Sequence, residues 1–345
     1  MSEPLMPQHD PPIALTMGDP AGIGPEITLK CWLQRNQATC PPFLFLGSAE
    51  LLETCARSLE VEVPIHRLQE PVQARDVFPD ALPVLDLPLP APCRPGVPDS
   101  RNAPMVIRSI DLAYDLVRTG QASALVTNPI HKNSLYSSGF SQPGHTEYLA
   151  QLCGLDFRPV MMLASERLRV VPVTVHVPLR EIPSRLTREG IVHAAEITYL
   201  ALQRDFDIPA PRLAMAGLNP HAGEAGSMGR EEIDLLLPAV RDLQAKGMPI
   251  DEPRAADSLF HETARGRYDA VLCMYHDQAL IPIKTLDFDK AVNVTLGLPV
   301  VRTSPDHGTA FNIAGQNQAN PSSLRAALDL AARMARARTA DIHSS

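Results

Sequence analysis

Short apolar runs ending at a glycine or a polar residue recur along this chain, separated by stretches with helical spacing. "PIALTMG" and "PFLFLG" are two such runs, and unbroken apolar character at this length fits strands buried on both faces of a parallel sheet. From Pro104 to Thr119, the residues Val106, Ile107, Ile110, Tyr114 and Val117 recur as on one face of a helix. "SALVTNP" then reads as a strand meeting a turn. Ser322 is placed to cap a last helix through Leu324 and Leu328, ending at Arg333, Arg336 and Arg338, where cations suit the helix dipole. Between Pro79 and Ser100 the prolines argue against a regular helix or a central strand, so this segment reads as a linker. Strands alternating with helices over such a length predict a layered α/β protein.

Composition narrows the partners. With 345 residues, 45% apolar and 20% charged, the chain is an ordinary globular protein, long enough for two lobes. Its formal net charge is −8 and no block of like charge stands out, which disfavours nucleic acid, whose phosphates call for a basic face. A local basic pocket for a small anion stays compatible with that total. No apolar run reaches the roughly 18–20 residues that cross a bilayer. The opening "MSEPLMPQHDPP" lacks a basic-then-apolar pattern, so a cytoplasmic location is expected. Cys31, Cys40, Cys55, Cys93, Cys153 and Cys273 are scattered without a CxxC pair, as reduced, packed thiols would be.

The candidate chemistry begins with "VLCMYHDQALIPIK", where a strand-like run breaks off at His276 and Asp277 before apolar sequence resumes and closes on Lys284. "LRVVPVTVHVPLR" delivers His176 in the same way, and "RLAMAGLNPHAGE" delivers His221 just past an Asn-Pro turn. Ligands of open α/β sheets gather beyond the carboxyl ends of the strands. Three imidazoles brought there could share one divalent ion and leave coordination positions open. One histidine after a strand is ordinarily a satisfied polar residue; three in the same context make a metal centre an even rival to that reading. Asp277 could orient its neighbour, take a proton, or cap the next turn. "GDPAGIGPEI" and "DHGTAFNIAGQNQANPSS" add glycine-rich turns, the first between a strand and a helix, the second a polar loop suited to a nucleotide.

Over nearly its whole length the sequence resembles the 4-hydroxythreonine-4-phosphate dehydrogenase family of pyridoxine biosynthesis. The resemblance rests on "MGDPAGIGPEI", "TNPIHK", "PGHTEYLA", "GLNPHAGE", "YHDQ", "AVNVTLGLPVVRTS" and "DHGTAFNIAG". The first and last of these also look like motifs of the isocitrate and isopropylmalate dehydrogenases. The resemblance therefore implies a two-lobed α/β/α fold with the active-site cleft between the lobes. The first lobe would comprise 11–134 plus 300–338, the second 135–299, with flexible tails at 1–10 and 339–345.

What the family implies can be placed on this chain. His176, His221 and His276 match its metal ligands for Zn2+, Mg2+ or Co2+. His145, Thr146, Lys284, Asn293 and Arg302 match substrate contacts, and His307, Gly308 and Asn320 look like a loop for the adenosine side of NAD(P)+. Asp277 and Lys284 both remain candidates for the general base. The implied reaction is NAD(P)-dependent oxidation of 4-phosphohydroxy-L-threonine, followed by decarboxylation, in a homodimer whose active site lies at the subunit interface. Ala225 and Lys290 stand where many relatives have glycine, which leaves room for a paralogue acting on another phosphorylated hydroxy acid such as phospho-threonate. A zinc hydrolase or a nucleotide-binding regulator are the rivals from other classes.

Overall fold

The computed structural model describes residues 10–36, 40–136, 139–140, 142 and 144–344. The chain divides into two compact units, one of Met1–Gly154 with Val300–Ala340 and one of Leu155–Pro299 with Asp341–Ser345. The stretch 135–154, assigned to the second lobe from sequence, packs with the first unit. Its tie is visible: Tyr148 Oη donates to Asp111 Oδ1 (2.5 Å), and the Phe140 and Tyr148 rings lie 4.9 Å apart.

In the first unit, among the described residues, six strands form a sheet: β1 (Ile13–Thr16), β2 (Phe43–Gly47), β3 (Ile65–Arg67), β4 (Leu82–Asp86), β5 (Leu125–Thr127) and β11 (Arg302–Pro305). Their order is β3-β4-β2-β1-β5-β11, and each neighbouring pair is parallel. Every residue of β1 and β2 is buried, which is why "IALT" and "FLFLG" are apolar without alternation. Each fully buried leucine or phenylalanine here contributes about 1.5–3 kcal/mol. Pro25 sits in the first turn of the helix Gly24–Leu33, where its missing N–H costs nothing. The helix Ala103–Arg118 buries Val106, Ile110, Ala113 and Leu116. Its Ser109 hydroxyl accepts from Met17 N (3.0 Å) and donates to Leu46 O (2.6 Å), tying the ends of β1 and β2 together.

Two local expectations change. The proline-rich segment contains β4, which lies inside the sheet between β3 and β2. Its ladder with β2 begins at Val84, one residue past Pro83, so no donor is demanded of the proline there. The last helix runs Ser322–Ser344, into the segment expected to be a tail. The cap comes from Asn320, whose Oδ1 accepts from Ser322 N (3.0 Å), and Ser322 is itself helical. Of the tail expected at 1–10, all but Asp10 lies outside the described residues.

The second unit holds β6 (Val160–Ala164), β7 (Arg169–Pro172), β8 (Leu213–Met215), β9 (Ala270–Cys273) and β10 (Val292–Leu296), in the order β10-β6-β7-β9-β8. β10 and β7 run antiparallel to β6, whereas β7, β9 and β8 are mutually parallel neighbours. Leu163, Val170, Ala214, Val271, Cys273 and Ile283 are among the residues of its core. "VLCMYHDQALIPIK" is thus resolved: β9 ends at Cys273, and the helix His276–Asp287 begins at the histidine and buries Ala279, Leu280 and Ile283. Among the described residues, no helix is long and apolar enough to cross a membrane.

Candidate active site

Three adjacent parallel strands carry the three histidines, each just past a strand's carboxyl end. His176 follows β7, His276 follows β9, and His221 follows β8. Val177 N donates back to Val175 O (2.6 Å), a tight turn with exposed His176 at its apex. The His176 and His276 rings come together, with centroids 5.9 Å apart. His221 is not gathered with them: among the described residues, no three His, Cys, Asp or Glu side chains form a set that could hold an ion.

A buried relay joins the turns. Thr174 Oγ1 donates to Met274 O (2.7 Å), tying the His176 turn to the end of β9. Gln278 Oε1 accepts from Met274 N (2.6 Å), and Gln278 Nε2 donates to Gly217 O (2.7 Å), on the path to His221. Thr174 and Gln278 are both buried, so each bond replaces water that cannot reach these groups.

His221 opens a left-handed turn. The φ angles of His221, Ala222, Gly223, Glu224 and Ala225 are 53°, 51°, 78°, 41° and 54°. Only the glycine is at home there; a left-handed helical conformation costs L-residues roughly 1–2 kcal/mol each, so four of them store roughly 4–8 kcal/mol. Ala225 is one of the strained ones. Glu232 holds the entrance: its Oε1 accepts from Asn219 N (2.8 Å) and its Oε2 from Asn219 Nδ2 (3.0 Å). Glu231 Oε2 accepts from the same amide (2.7 Å). Glu232 is only 3% exposed, and a Cβ on Gly223 would stand 2.6 Å from its Oε2, so the turn and this side chain fit one another closely.

On the helix after β9, Asp277 Oδ1 lies 2.7 Å from His276 Nδ1. A carboxylate there fixes the tautomer and leaves Nε2 as the free donor atom, the usual arrangement around a ligating histidine. Lys284 lies two turns further along the same helix, half-buried, with its Nζ 5.7 Å from the centre of the Phe288 ring. Asn293 is half-buried on β10, opposite Leu163.

The first unit gathers a second polar set. Arg302, at the start of β11 and 4% exposed, donates from Nη2 to Thr127 Oγ1 (2.7 Å) at the end of β5. Burial pushes its pKa down to about 10, with the Glu147 charge working the other way, so it stays protonated at neutral pH. His145 begins the helix His145–Leu152, and Thr146 follows it, half-buried. The Nε2 of His145 is shut from solvent with no hydrogen-bond partner among the described residues. Burial first, then the charges of Arg302 and Lys132, hold its pKa well below the usual histidine range, so the ring is neutral at pH 7. A Cβ on Gly144 would touch Glu147 Oε2 at 3.5 Å and Lys132 Cε at 3.8 Å, which places both side chains beside this turn. Thr127, Lys132 and Glu147 were not singled out from sequence, although "TNPIHK" and "GHTEY" contain them.

The loop with His307, Gly308 and Asn320 rests on the glycine-rich first turn of the same unit. Ile23 N donates to Thr309 O (3.0 Å), and a Cβ on Gly22 would meet that carbonyl at 2.9 Å, so the approach requires glycine. Buried Glu26 accepts from Ala319 N (2.9 Å) and Lys30 Nζ (2.8 Å), and Lys30 also donates to Ala319 O (2.8 Å). Among the described residues, nothing stands within 4 Å of a Cβ on Gly308, so they leave the space over this backbone open. His307 Nδ1 lies 3.0 Å from Gly308 O.

Polar side chains grouped past the carboxyl ends of parallel strands are the mark of an α/β enzyme acting on a small ligand. Comparison with known proteins gives the family. A family model described as pyridoxal phosphate biosynthetic protein PdxA matches residues 38–331, and this chain belongs to that family. It is 55% identical over 336 residues to a 4-hydroxythreonine-4-phosphate dehydrogenase of Methylorubrum populi, covering 96% of each chain. A solved 4-hydroxythreonine-4-phosphate dehydrogenase from Klebsiella pneumoniae superposes with a TM-score of 0.86 at 36% identity, over 96% of this chain and 99% of that one. A terephthalate 1,2-cis-dihydrodioldehydrogenase from Burkholderia xenovorans is more distant, with a TM-score of 0.60 and 29% identity over 92% and 96%.

Proposed function

We propose that this protein oxidises the secondary hydroxyl of 4-phosphohydroxy-L-threonine with NAD(P)+ in pyridoxal 5'-phosphate biosynthesis. The product, 2-amino-3-oxo-4-phosphooxybutanoate, then loses CO2 to give 3-amino-2-oxopropyl phosphate. The observation that carries this reading is the delivery of His176, His221 and His276 beyond three neighbouring parallel strands, with Asp277 already on His276 Nδ1.

His176 and His276 offer two neighbouring imidazoles to a divalent ion such as Zn2+, Mg2+ or Co2+, and His221, which stands apart from them here, would complete the set. The open backbone at Gly308 suits a dinucleotide, which His307, Gly308 and Asn320 would hold on its adenosine side. When bound, the ion supplies Lewis acidity at the hydroxyl and the nicotinamide accepts the hydride. The chain's own residues do the rest. Asp277 keeps His276 in one tautomer. Arg302 brings fixed positive charge to an otherwise acidic protein, where a phosphate or carboxylate needs a local donor cluster, and Lys284 adds an N–H donor for the same substrate. Neutral His145, with Thr146 and Asn293, offers hydrogen bonds without adding charge. Asp277 or Lys284 takes the hydroxyl proton while the carbon-bound hydrogen departs with its electron pair and the C=O bond forms. The β-keto acid then breaks its bond to the carboxylate, and the carbon left behind takes a proton.

In this reading the working unit is a cytoplasmic homodimer whose site is completed by the second subunit. Mixing an inactive His176→Ala chain with an inactive Arg302→Ala chain tests that. Regained activity supports a shared site; monomeric sedimentation at assay concentration counts against it. The runner-up substrate is another phosphorylated hydroxy acid such as phospho-threonate. A higher kcat/KM on phospho-threonate than on 4-phosphohydroxy-L-threonine would transfer the assignment to it.

A further inference from the structure

We infer that Lys132 is a further substrate-binding residue: with Arg302 and the N-terminus of the helix His145–Leu152, it takes the phosphate. The inference rests on the substrate reading above. The position of Lys132 is built outward from the end of β5. Thr127 closes that strand and accepts from Arg302 Nη2 (2.7 Å). Buried Asn128 pins the turn that follows: its Nδ2 donates to Thr16 O (3.0 Å) and to Thr28 Oγ1 (3.1 Å). Pro129 O then accepts from Asp19 N (2.8 Å), and His131 Nδ1 lies 2.7 Å from Ser134 Oγ. Lys132 opens the short helix Lys132–Tyr136, and from there its side chain reaches Gly144. A Cβ on that glycine would have Lys132 Cε at 3.8 Å and Nζ at 4.0 Å. Gly144 is the cap residue of the helix His145–Leu152 and has no side chain to close it.

Three features of this corner call for an anion. An ammonium at a helix N-terminus faces the positive end of the dipole, where a cation is disfavoured. Nothing offsets that here: Lys132 is exposed and, among the described residues, makes no hydrogen bond or ion pair. Lys30, by contrast, is held by Glu26 Oε1 and by Asn317 O and Ala319 O. Second, the charges of Lys132 and Arg302 act on one ring, that of His145, whose Nε2 is shut from solvent without a partner among the described residues. Third, Glu147 sets one carboxylate against these two cations, which leaves positive charge in excess around a neutral imidazole. A phosphate answers all three. It balances the excess charge, accepts from the first N–H groups of the helix, gives the buried Nε2 a partner, and takes Lys132 as a compact point charge.

Two readouts separate this role from the identity of the substrate. Wild type, Lys132→Ala, Lys132→Gln and Lys132→Arg are melted with and without inorganic phosphate, and their initial rates are measured on 4-phosphohydroxy-L-threonine with NAD(P)+. Without phosphate, Lys132→Ala and Lys132→Gln should melt no lower than wild type, because the ammonium has no partner to lose. Their stabilisation by phosphate should shrink, as it would for binding weakened about tenfold or more. KM for the phosphorylated substrate should rise about 10- to 150-fold, with kcat and the KM for the dinucleotide nearly unchanged. Lys132→Arg keeps the charge and should recover part of both losses. A wild-type response to phosphate in Lys132→Ala overturns the inference. So does a lower melting temperature without phosphate, which marks a structural lysine, or a raised KM for the dinucleotide alone. Weakened phosphate binding in Lys132→Ala, beside a wild type that does not oxidise 4-phosphohydroxy-L-threonine, would uphold Lys132 as a phosphate residue and overturn the substrate reading instead.

Discussion

Replacing Arg302 with methionine should make the unliganded protein more stable and the enzyme worse. The guanidinium is 4% exposed and its pKa is pushed from 12.5 to about 10 by burial. At about 1.4 kcal/mol per unit, keeping it charged at pH 7 costs the folded state about 3 kcal/mol. The sign follows from linkage: a base whose pKa falls on folding destabilises fully below about pH 10, and the penalty fades as pH rises from there towards 12.5. Methionine removes that cost and fills similar volume, but it gives up the charge-assisted bond to Thr127 Oγ1, worth about 1.5–3 kcal/mol. A net gain of up to about 1.5 kcal/mol in a unit of this size is a rise of up to about 3–6 °C in Tm. In the proposed reaction the same change would remove a charge-assisted bond to the anionic substrate, worth about 1.5–3 kcal/mol, so kcat/KM should fall about 10- to 150-fold. Calorimetric melting of the unliganded protein and initial rates on the same preparation check both signs. A lower Tm with unchanged kcat/KM would refute the reasoning, because Arg302 would then be a structural residue. A buried charge retained at a cost in stability is what a binding function would preserve.

Other outcomes follow from the same geometry. His176→Ala, His221→Ala and His276→Ala should each lose bound ion and turnover while circular dichroism stays unchanged, which metal analysis after dialysis will show. Asp277→Asn should weaken ion binding about 10- to 100-fold by loosening the His276 tautomer, read by competition with a chelating dye. His145 has a depressed pKa, so its contribution to stability is full above the ordinary histidine range and is lost as pH falls below it, where the unfolded chain takes up a proton that the folded one refuses. Urea midpoints of wild type should therefore drop between about pH 7.5 and about pH 5.5 by more than those of His145→Gln.

Much of the frame is legible in the sequence because it depends on local pattern. Fully buried β1 and β2 announce themselves as apolar runs, and the helix Ala103–Arg118 shows its spacing. The three histidines are visible because each interrupts a β-rich run. What stayed hidden depends on non-local fit. Nothing in "HAGEAG" signals a left-handed turn, since alanine and glutamate avoid that conformation and the bonds from Asn219 to Glu232 reach across from beyond the turn. β4 was concealed by Pro83, which the sheet tolerates only because pairing with β2 starts one residue later. Thr127 meets Arg302 only once β5 and β11 are paired, and the Glu147 charge then faces the same guanidinium, so no spacing in the chain predicts the cluster. Gln278, next to the conspicuous His-Asp pair, looked unremarkable until its two bonds linked Met274 to Gly217.

The central claim is that this chain oxidises a phosphorylated hydroxy amino acid at the expense of a nicotinamide. The most direct measurement follows the near-ultraviolet absorbance of reduced nicotinamide when purified protein, supplied with divalent ion and NAD+ or NADP+, meets 4-phosphohydroxy-L-threonine, with released CO2 measured alongside. One reduced nicotinamide and one CO2 should appear per substrate consumed, dependent on the ion, with both lost in His276→Ala. Substrate consumption without nicotinamide reduction, or no turnover with any ion and either dinucleotide, would contradict it.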